Sequence, residues 1–312
     1  MEKIVDKDKN EVDIDISIVI PAKNEGENIG RCLDAVCQQE TPYNVEIIVI
    51  DSGSTDNTMD IVKKYPSVKG IQIKPEEFGH GKTRSMGADM AKGNYIVFLN
   101  ADAIPVNTHW LHSLIDPLKE NKDVAGVFSR HMPKQGCYLY MVRDLKNSMP
   151  DKRIIRTGTR TLDFMLFSTV SAAVGKDTWQ QFPFDNDIVI AEDQRWAKDI
   201  LTHGFKILYE PESMVRHSHN YTPRQLMESK RKIGQASGRF KNRMSALFLG
   251  LLLIAGGIVI KVTGDIIFIL FKQANPISFS QKLREIKISL IARFASFWGR
   301  YKGWLEIKKT DE

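Results

Sequence analysis

The sequence predicts an α/β fold: a mostly parallel, Rossmann-like sheet flanked by helices, with a helical segment appended at the C-terminus. Three observations predict it. Apolar, β-branched runs recur at 16–20, 45–50, 71–73 and 95–99. Stretches with helical apolar spacing separate them, and polar or acidic residues directly follow the runs that end at Ile20, Ile50 and Leu99. Strands that are apolar throughout must be covered on both faces, and crossover helices between parallel strands provide that cover.

Each element has its own signal. Ile16 to Ile20 is the first strand. From Glu27 to Gln39, the residues Ile29, Leu33, Val36 and Cys37 recur at helical spacing. Val45 to Ile50 is the second strand. Thr55 to Tyr65 places Asp56 early and Met59, Ile61 and Val62 later, a helix with an N-terminal acidic signal. Thr83 to Lys92 is a further short helix, and Tyr95 to Leu99 another strand. The second half predicts strands near 124–130, 168–174 and 205–210, and a helix from Glu192 to His203 that stops at Gly204, a residue suited to the C′ position. The composition changes after Thr222, which sets an expected boundary between a catalytic domain over 1–222 and a basic and apolar helical region over 223–312.

Composition narrows the function classes. The 312 residues are ample for a sizeable core plus an appendage, and 44 Lys+Arg against 38 Asp+Glu leave a modest basic excess. Cys32, Cys37 and Cys137 are odd in number and lack metal-type spacing, so reduced, buried thiols are expected in place of a disulfide frame or zinc site. Met1 to Asp15 has no apolar core of the kind a secretory signal needs. Asn220-Tyr221-Thr222 matches a glycosylation sequon, which a cytosolic location leaves unused.

In open α/β sheets ligands bind beyond the carboxyl ends of the strands. There the chain carries Pro21-Ala22-Lys23-Asn24-Glu25, Asp51-Ser52-Gly53-Ser54-Thr55-Asp56 and Asn100-Ala101-Asp102-Ala103. Taken singly, each acid has a structural alternative: Asp51 a turn residue, Asp56 and Asp102 caps, Glu192 and Asp193 the acidic first turn of a helix, His217 a satisfied core histidine. Together, acids at three strand ends, a Glu-Asp pair and two late histidines suit an anionic leaving group neutralised by a hard cation and a hydroxyl activated by a carboxylate.

The string from Ile18 through Pro21 and Asn24 to Glu25, then Val49 to Asp56 with Asp51, then Phe98 to Asp102, then Glu192-Asp193, resembles glycosyltransferase family 2 and its GT-A fold over roughly residues 14–222. The resemblance implies an inverting, non-processive transfer of one sugar from a nucleotide-sugar donor. It implies that Asp51 reads the nucleobase edge and that Glu25, with the backbone of Pro21, Ala22 and Asn24, holds the ribose. Asn100, Ala101 and Asp102 resemble the Asp-X-Asp motif, Asp102 being its metal-binding end. Asp193 resembles the catalytic base, with Glu192 beside it. His217 or His219 is similar in place to a metal-binding histidine, and the cofactor implied is Mg2+ or Mn2+. Asn100 stands where the motif often has its first Asp, and Ser52 where an Asp is commoner. Gln194-Arg195-Trp196 faintly echoes a motif of processive synthases at the wrong spacing.

Phe78 to Arg84 contains Gly-Lys-Thr, but a phosphate-binding P-loop needs glycine where Glu76 stands. The segment instead resembles a glycine-containing loop of bacterial rhamnosyltransferase-like family 2 members, which implies that Gly81, Lys82 and Arg84 lie near the donor diphosphate or sugar.

The stretch 245–271 is strongly apolar, interrupted by Lys261 and Asp265, which at four residues' separation suit a pair on one helical face. It suits a single span, a hairpin broken near Gly256-Gly257 or Thr263-Gly264, an interfacial helix, or a soluble helical subdomain. Arg224, Lys230, Arg231, Lys232, Arg239, Lys241 and Arg243 precede it, and a basic tail to Lys309 follows with Phe294, Phe297, Trp298, Tyr301 and Trp304 interleaved. Basic flanks around an apolar stretch point to the cytoplasmic side of the cell membrane, and not to nucleic acid. A membrane location suits a lipid-linked or saccharide acceptor and cell-surface polysaccharide or glycolipid synthesis. The competing readings are a nucleotidyltransferase and a catalytically inactive, sugar-nucleotide-binding membrane scaffold.

Overall fold

The structure is a computed structural model that describes residues 13–158, 167–188, 190–236, 243–273 and 276–306. The charged N-terminus up to Val12, Arg239 and Lys241 of the basic flank, and Lys309 of the tail lie outside the described residues. The chain divides into two compact units. The first joins Met1–Arg130 to Asp151–Arg216, and the second joins His131–Pro150 to His217–Glu312.

The first unit is built on a sheet with nine strands among the described residues. They are β1 (Ile16–Ala22), β2 (Val45–Asp51), β3 (Val68–Gln72), β4 (Tyr95–Leu99), β5 (Ile104–Pro105), β6 (Val124–Met132), β7 (Ile154–Thr157), β8 (Ser171–Gly175) and β9 (Lys206–Arg216). Their order is β3-β2-β1-β4-β8-β6-β9-β5, with β7 also paired to β9. Helices α1 (Ile29–Cys37), α2 (Thr58–Val62) and α3 (His80–Met90) link the first four strands. Crossovers of this length allow parallel pairing, and β1 runs parallel to both β2 and β4, as β2 does to β3. Strand β8 pairs antiparallel with β4 and β6, and β9 antiparallel with β5 and β7, so the sheet is mixed. The switch has a functional consequence: the carboxyl end of β4 meets the amino end of β8, with Leu99 opposite Ser171.

Several elements were not legible in the pattern. Helix α4 (Trp110–Glu120), the short strands β5 and β7, helix α5 (Leu139–Ser148) and α6 (Lys176–Gln181) add to the expected set. Helix α7 (Glu192–Thr202) stands where expected, followed by Gly204 at φ +86°. Strand β9 runs on to Arg216, past the expected end near 210. Of the three free cysteines only Cys32 is buried; Cys37 is exposed, against the expectation of buried thiols, because it ends α1.

The core packs α1 and α4 on one face of the sheet, with Ile16, Ile18, Ile20, Leu33, Trp110 and Leu114 in one cluster. Helix α3 lies close on the residues between them: a Cβ at Gly87 would sit 2.2 Å from Val19 Cγ1 and 3.2 Å from Ile50 Cδ1. Buried hydroxyls inside this unit satisfy one another. Ser129 Oγ lies 2.6 Å from Ser171 Oγ and 2.8 Å from Ser213 Oγ, and Trp110 Nε1 donates to Ser171 Oγ at 2.9 Å.

The second unit contains α5, α8 (Pro223–Ala236), α9 (Arg243–Phe271) and α10 (Phe279–Leu305). Small residues bring α10 onto α8: a Cβ at Gly299 would meet the Met227 carbonyl at 2.2 Å, and one at Gly303 the Arg231 carbonyl at 2.1 Å. Helix α9 is continuous over 29 residues, which overturns the broken-hairpin expectation. Glycine inside a helix costs only about 1 kcal/mol, and here it makes room for neighbours. A Cβ at Gly257 would sit 2.5 Å from Phe297, and one at Gly264 would sit 1.9 Å from Arg143. The expected Lys261–Asp265 pair is also replaced. Lys261 Nζ reaches Asp144 at 3.2 Å, whereas Asp265 takes Arg143 at 2.8 Å and Arg293 at 2.7 Å. Leu249–Phe271 is long and apolar enough to cross a membrane by length and composition.

The Gly87 contact is a direct test of how tightly α3 sits on the sheet. Gly87→Ala should lower stability by about 1–3 kcal/mol through overpacking, despite alanine's higher helix propensity, and thermal or denaturant unfolding reads the difference.

Candidate active site

The ends of β1 and β2 are level, with Ala22 opposite Asp51. Beyond them the two loops are stitched together by side chains. Asn24, at φ +53°, accepts from the Thr55 N–H at 2.9 Å, and its own N–H donates to Ser54 Oγ at 2.8 Å. Glu25 N–H donates to Thr58 Oγ1 at 2.8 Å, and Gly26 N–H to Asp56 at 2.9 Å. Asparagine tolerates the left-handed region because its short polar side chain bonds locally. Hydrogen bonds from the Thr58 hydroxyl and the Gly26 N–H hold the Asp56 carboxyl below the usual carboxylate range. Asp51 is fully buried and accepts from Ser54 Oγ, from Ser54 N–H at 3.1 Å and from Gln72 Nε2 at 3.3 Å. Glu25 is half-buried, its carboxylate taking Asn28 Nδ2 at 2.8 Å. Pro21, Ala22, Asn24, Glu25 and Asp51 therefore share one braced rim.

The next part of the rim is tied by Arg84. Helix α3 starts at His80, three residues before the predicted start, and its N-terminus follows a 3₁₀ turn at Pro75–Glu77 and not a strand, so no P-loop is present. Lys82 is exposed. Arg84 turns inward, 5% exposed, and donates from Nη1 to Glu192 Oε1 and from Nη2 to Asn100 Oδ1, both at 2.9 Å. Gly81 lies against Glu192, 3.7 Å from the position a Cβ would take. Asn100 is thus the acceptor for a guanidinium, a role its neutral amide fills without adding a further negative charge beside Glu192 and Asp193. Ala101 and Asp102 complete the turn, both buried.

Asp193 faces the same rim. Its Oδ2 accepts from the Thr169 N–H at 3.4 Å, and its Oδ1 from the Gln194 N–H at 2.8 Å. One residue on, the Val170 carbonyl accepts from the Asn100 N–H at 2.9 Å. Asp193 and Asn100 are therefore joined through Thr169-Val170 as well as through Arg84. Burial and the neighbouring Glu192 push the Asp193 carboxyl up, with Arg84 opposing them. Ala191, just before this pair, has φ +68° and ψ 32°. An alanine held in the left-handed region is local strain, of a kind that accumulates at functional sites.

His217 and His219 directly follow β9. Their Nε2 atoms are 3.1 Å apart, the rings meet at 90°, and Tyr221 stacks on His219 with centroids 4.9 Å apart. Within the first unit the ladder sets Ile104 opposite Arg216, so β9 ends beside the segment that leaves Asp102.

A half-sheet of parallel strands, braced loops at its carboxyl rim and an antiparallel second half make up a GT-A-like α/β transferase fold. Comparison with known proteins gives the family. Residues 17–184 match the sequence profile described as glycosyl transferase family 2, and the chain belongs to this family. It is therefore a sugar-transferring enzyme. It is 31% identical over 223 residues to the O-antigen chain rhamnosyltransferase RfbN of Salmonella typhimurium, covering 67% of this chain and 68% of that one. With the O-antigen chain rhamnosyltransferase WbaN of Salmonella anatum the identity is 33% over 220 residues, at the same coverage. Two solved structures share the fold. A mannosyltransferase from Pyrobaculum calidifontis in complex with GDP-Man and Mn2+ has a TM-score of 0.54 at 19% identity, covering 73% of this chain and 66% of that chain. S. aureus TarS 1-349 has a TM-score of 0.52 at 16% identity, covering 91% and 90%.

The sequence reading missed Thr169 and Val170, which brace the Asp193 carboxylate and the Asn100 turn, and the left-handed Ala191 that precedes α7. Their only signal was position: Ala191 precedes the Glu-Asp pair, and Thr169 and Val170 precede a strand whose direction the sequence does not reveal.

Arg84→Met would leave Glu192 buried without its partner, and breaking one side of a buried pair costs about 3–5 kcal/mol. The paired Arg84→Met, Glu192→Met variant should recover much of that loss. A double-mutant cycle on unfolding free energies would show the recovery as a coupling term; simple additivity would contradict the clamp.

Proposed function

We propose that this enzyme moves a single deoxyhexosyl residue from a nucleotide-sugar donor to a lipid-linked saccharide acceptor, at the cytoplasmic face of the membrane, with inversion at the anomeric carbon. The observation that carries the reading is Asp193: a carboxyl pushed upward by burial and by Glu192, held by the Thr169 and Gln194 N–H groups, on a rim shared with the braced β1 and β2 loops. A general base works best when its pKa approaches the operating pH, and an upward push on a carboxyl moves it that way. In the step, the acceptor oxygen bonds to the anomeric carbon as the bond from that carbon to the diphosphate oxygen breaks. The acceptor proton goes to Asp193, and the nucleoside diphosphate leaves. Asp51 and Glu25, with the backbone of Pro21, Ala22 and Asn24, hold the nucleoside; Gly81 and Lys82 lie toward the diphosphate. Arg84 and Glu192 act through Asp193 and Asn100 and are positioning residues. The deoxyhexosyl choice rests on the Salmonella relatives.

Asp102, His217 and His219 are proposed to hold the divalent cation. The donor set fits: a carboxylate and two imidazoles, the latter presenting facing Nε2 atoms at 3.1 Å. When bound, the cation neutralises the departing diphosphate. Imidazole nitrogen is a softer donor than oxygen, which favours Mn2+ over the oxygen-seeking Mg2+.

Nucleoside diphosphate release by the detergent-solubilised protein, offered dTDP-, UDP- and GDP-sugars with a lipid-linked acceptor, tests the reading. Release should come from a dTDP-deoxyhexose, vanish with chelator, and return better with Mn2+ than with Mg2+. Release unaffected by chelator would remove the metal, and a product that keeps the donor's anomeric configuration would remove the inverting step.

Asp193→Asn should lower transfer at least ~100-fold while nucleotide still binds. Its stability carries an independent signature. A carboxyl whose folded pKa is raised keeps its proton more tightly in the native state, so the wild type loses stability as pH rises from the unfolded pKa through the folded one. The variant does not titrate there. It should match the wild type below that window and exceed it above, as read by unfolding midpoints across pH; a variant less stable above the window would contradict the raised pKa.

A further inference from the structure

The second unit turns an apolar surface to solvent. On α9 an exposed stripe runs through Leu249, Leu252, Val259, Ile260, Ile267 and Phe271, with Leu252, Ile260 and Phe271 each more than 70% exposed, and near the start of the helix Leu247, Leu251 and Leu253 are exposed as well. Positions spaced by three, four and seven residues share one helical face. The opposite face of the same helix is covered: Ile254, Phe268 and Ile269 are buried there, and the ion pairs of the helix lie among them. Asp265 is fully buried and receives Arg143 from α5, Ser289 and Arg293 from α10. Lys261 reaches Asp144 on α5, and Arg293 reaches Asp144 at 2.5 Å as well. The neighbouring helix α10 exposes Phe279, Leu283, Leu290, Ile291 and Phe294 on one stripe, with Arg284 and Lys287 exposed among them.

We propose that this surface is a docking face for an anionic lipid bilayer, and that α9 and α10 lie in the plane of one leaflet. The proposal rests on the membrane location argued above and names its geometry. A spanning α9 would be surrounded by lipid tails and would carry Asp265 to membrane depth. The Asp265 partners sit on α5 and α10, so those helices would have to follow. Helix α10 holds Lys282, Arg284, Glu285, Lys287, Arg293, Arg300 and Lys302 in 27 residues, far too many ionised groups for a bilayer core. Lying in the plane resolves the conflict. The apolar stripes sink to the headgroup–acyl boundary, the ion-paired face stays against protein, and Arg284 and Lys287 reach lipid phosphates on aliphatic stems. Occupancy by lipid and not by another protein follows from this interleaving of exposed cations with a bare apolar stripe, which an anionic leaflet matches in both chemistry and flatness.

The test uses the full chain with Cys37 and Cys137 replaced by Ser and a single cysteine placed at Leu252, Ile260, Phe271 or Phe294, each labelled with an environment-sensitive fluorophore. Vesicles of phosphatidylcholine, with or without phosphatidylglycerol, carry bromine at set depths on the acyl chains. In-plane docking predicts shallow quenching of equal depth at all four positions. It predicts weaker binding to the neutral vesicles, and about a 30-fold loss of binding to the anionic ones when Arg284 and Lys287 both become Gln. A depth that runs from shallow through the bilayer centre and back between Leu252 and Phe271 would establish a span and overturn the in-plane geometry while leaving membrane association intact. Equal binding to neutral and anionic vesicles would overturn the anionic partner. Absence of binding to either vesicle would overturn the membrane location itself.

Discussion

Arg84 is the charge around which the acidic rim is organised. A guanidinium 5% exposed has lost most of its water and must be repaid in hydrogen bonds. Its side chain donates to Glu192, beside the proposed base, and to Asn100, at the head of the Asn-Ala-Asp turn. One buried cation thereby holds two parts of the rim that are far apart in the sequence. The neutral Asn100 makes sense on these terms. A second carboxylate at that position would place net negative charge around one guanidinium and would oppose ionisation of Asp193 further, since like charges nearby disfavour the charged form.

The clamp works only because the sheet changes direction beside it. Parallel strands deliver their carboxyl ends to the rim, and the antiparallel β8 delivers its amino end to the same place, with Leu99 opposite Ser171. Thr169 and Val170 therefore arrive beside Asn100 and Asp193, and each supplies a backbone group to one of them. A crossover that kept β8 parallel would have sent these residues to the far edge. The β1 and β2 loops show the complementary strategy, in which Asn24, Ser54, Asp56 and Thr58 brace neighbouring turns through local side-chain bonds.

The second unit solves a different problem with the same physics. A helix as apolar as α9 would pass for a span by composition, yet its Asp265 is matched by Arg143 and Arg293 from two other helices. Burying that network among helices satisfies the charges and leaves the apolar stripe bare. Gly257 and Gly264, which look like breaks in a linear reading, leave the space that Phe297 and Arg143 occupy against the helix.

The sequence by itself determined the strand-end loops, the parallel first half of the sheet, α1, α7 with its terminating Gly204, and the family. These depend on periodicity, turn chemistry and residues that act within a few positions of one another, and such signals survive in a linear string. It also brought Asp51, Asn100, Asp102 and Asp193 into view, because each sits where a strand ends or a helix starts. Tertiary structure alone decided the partners. Arg84 and Glu192 are 108 residues apart, and Asp265 and Arg143 are 122 apart, so nothing in local spacing could pair Arg84 with Glu192, or Asp265 with Arg143 in place of Lys261. The direction of β8 and the assignment of His131–Pro150 to the second unit belong to the same class. Each is a choice among packings that satisfy the same local preferences, and burial of charge selects among them only once the chain has folded back on itself.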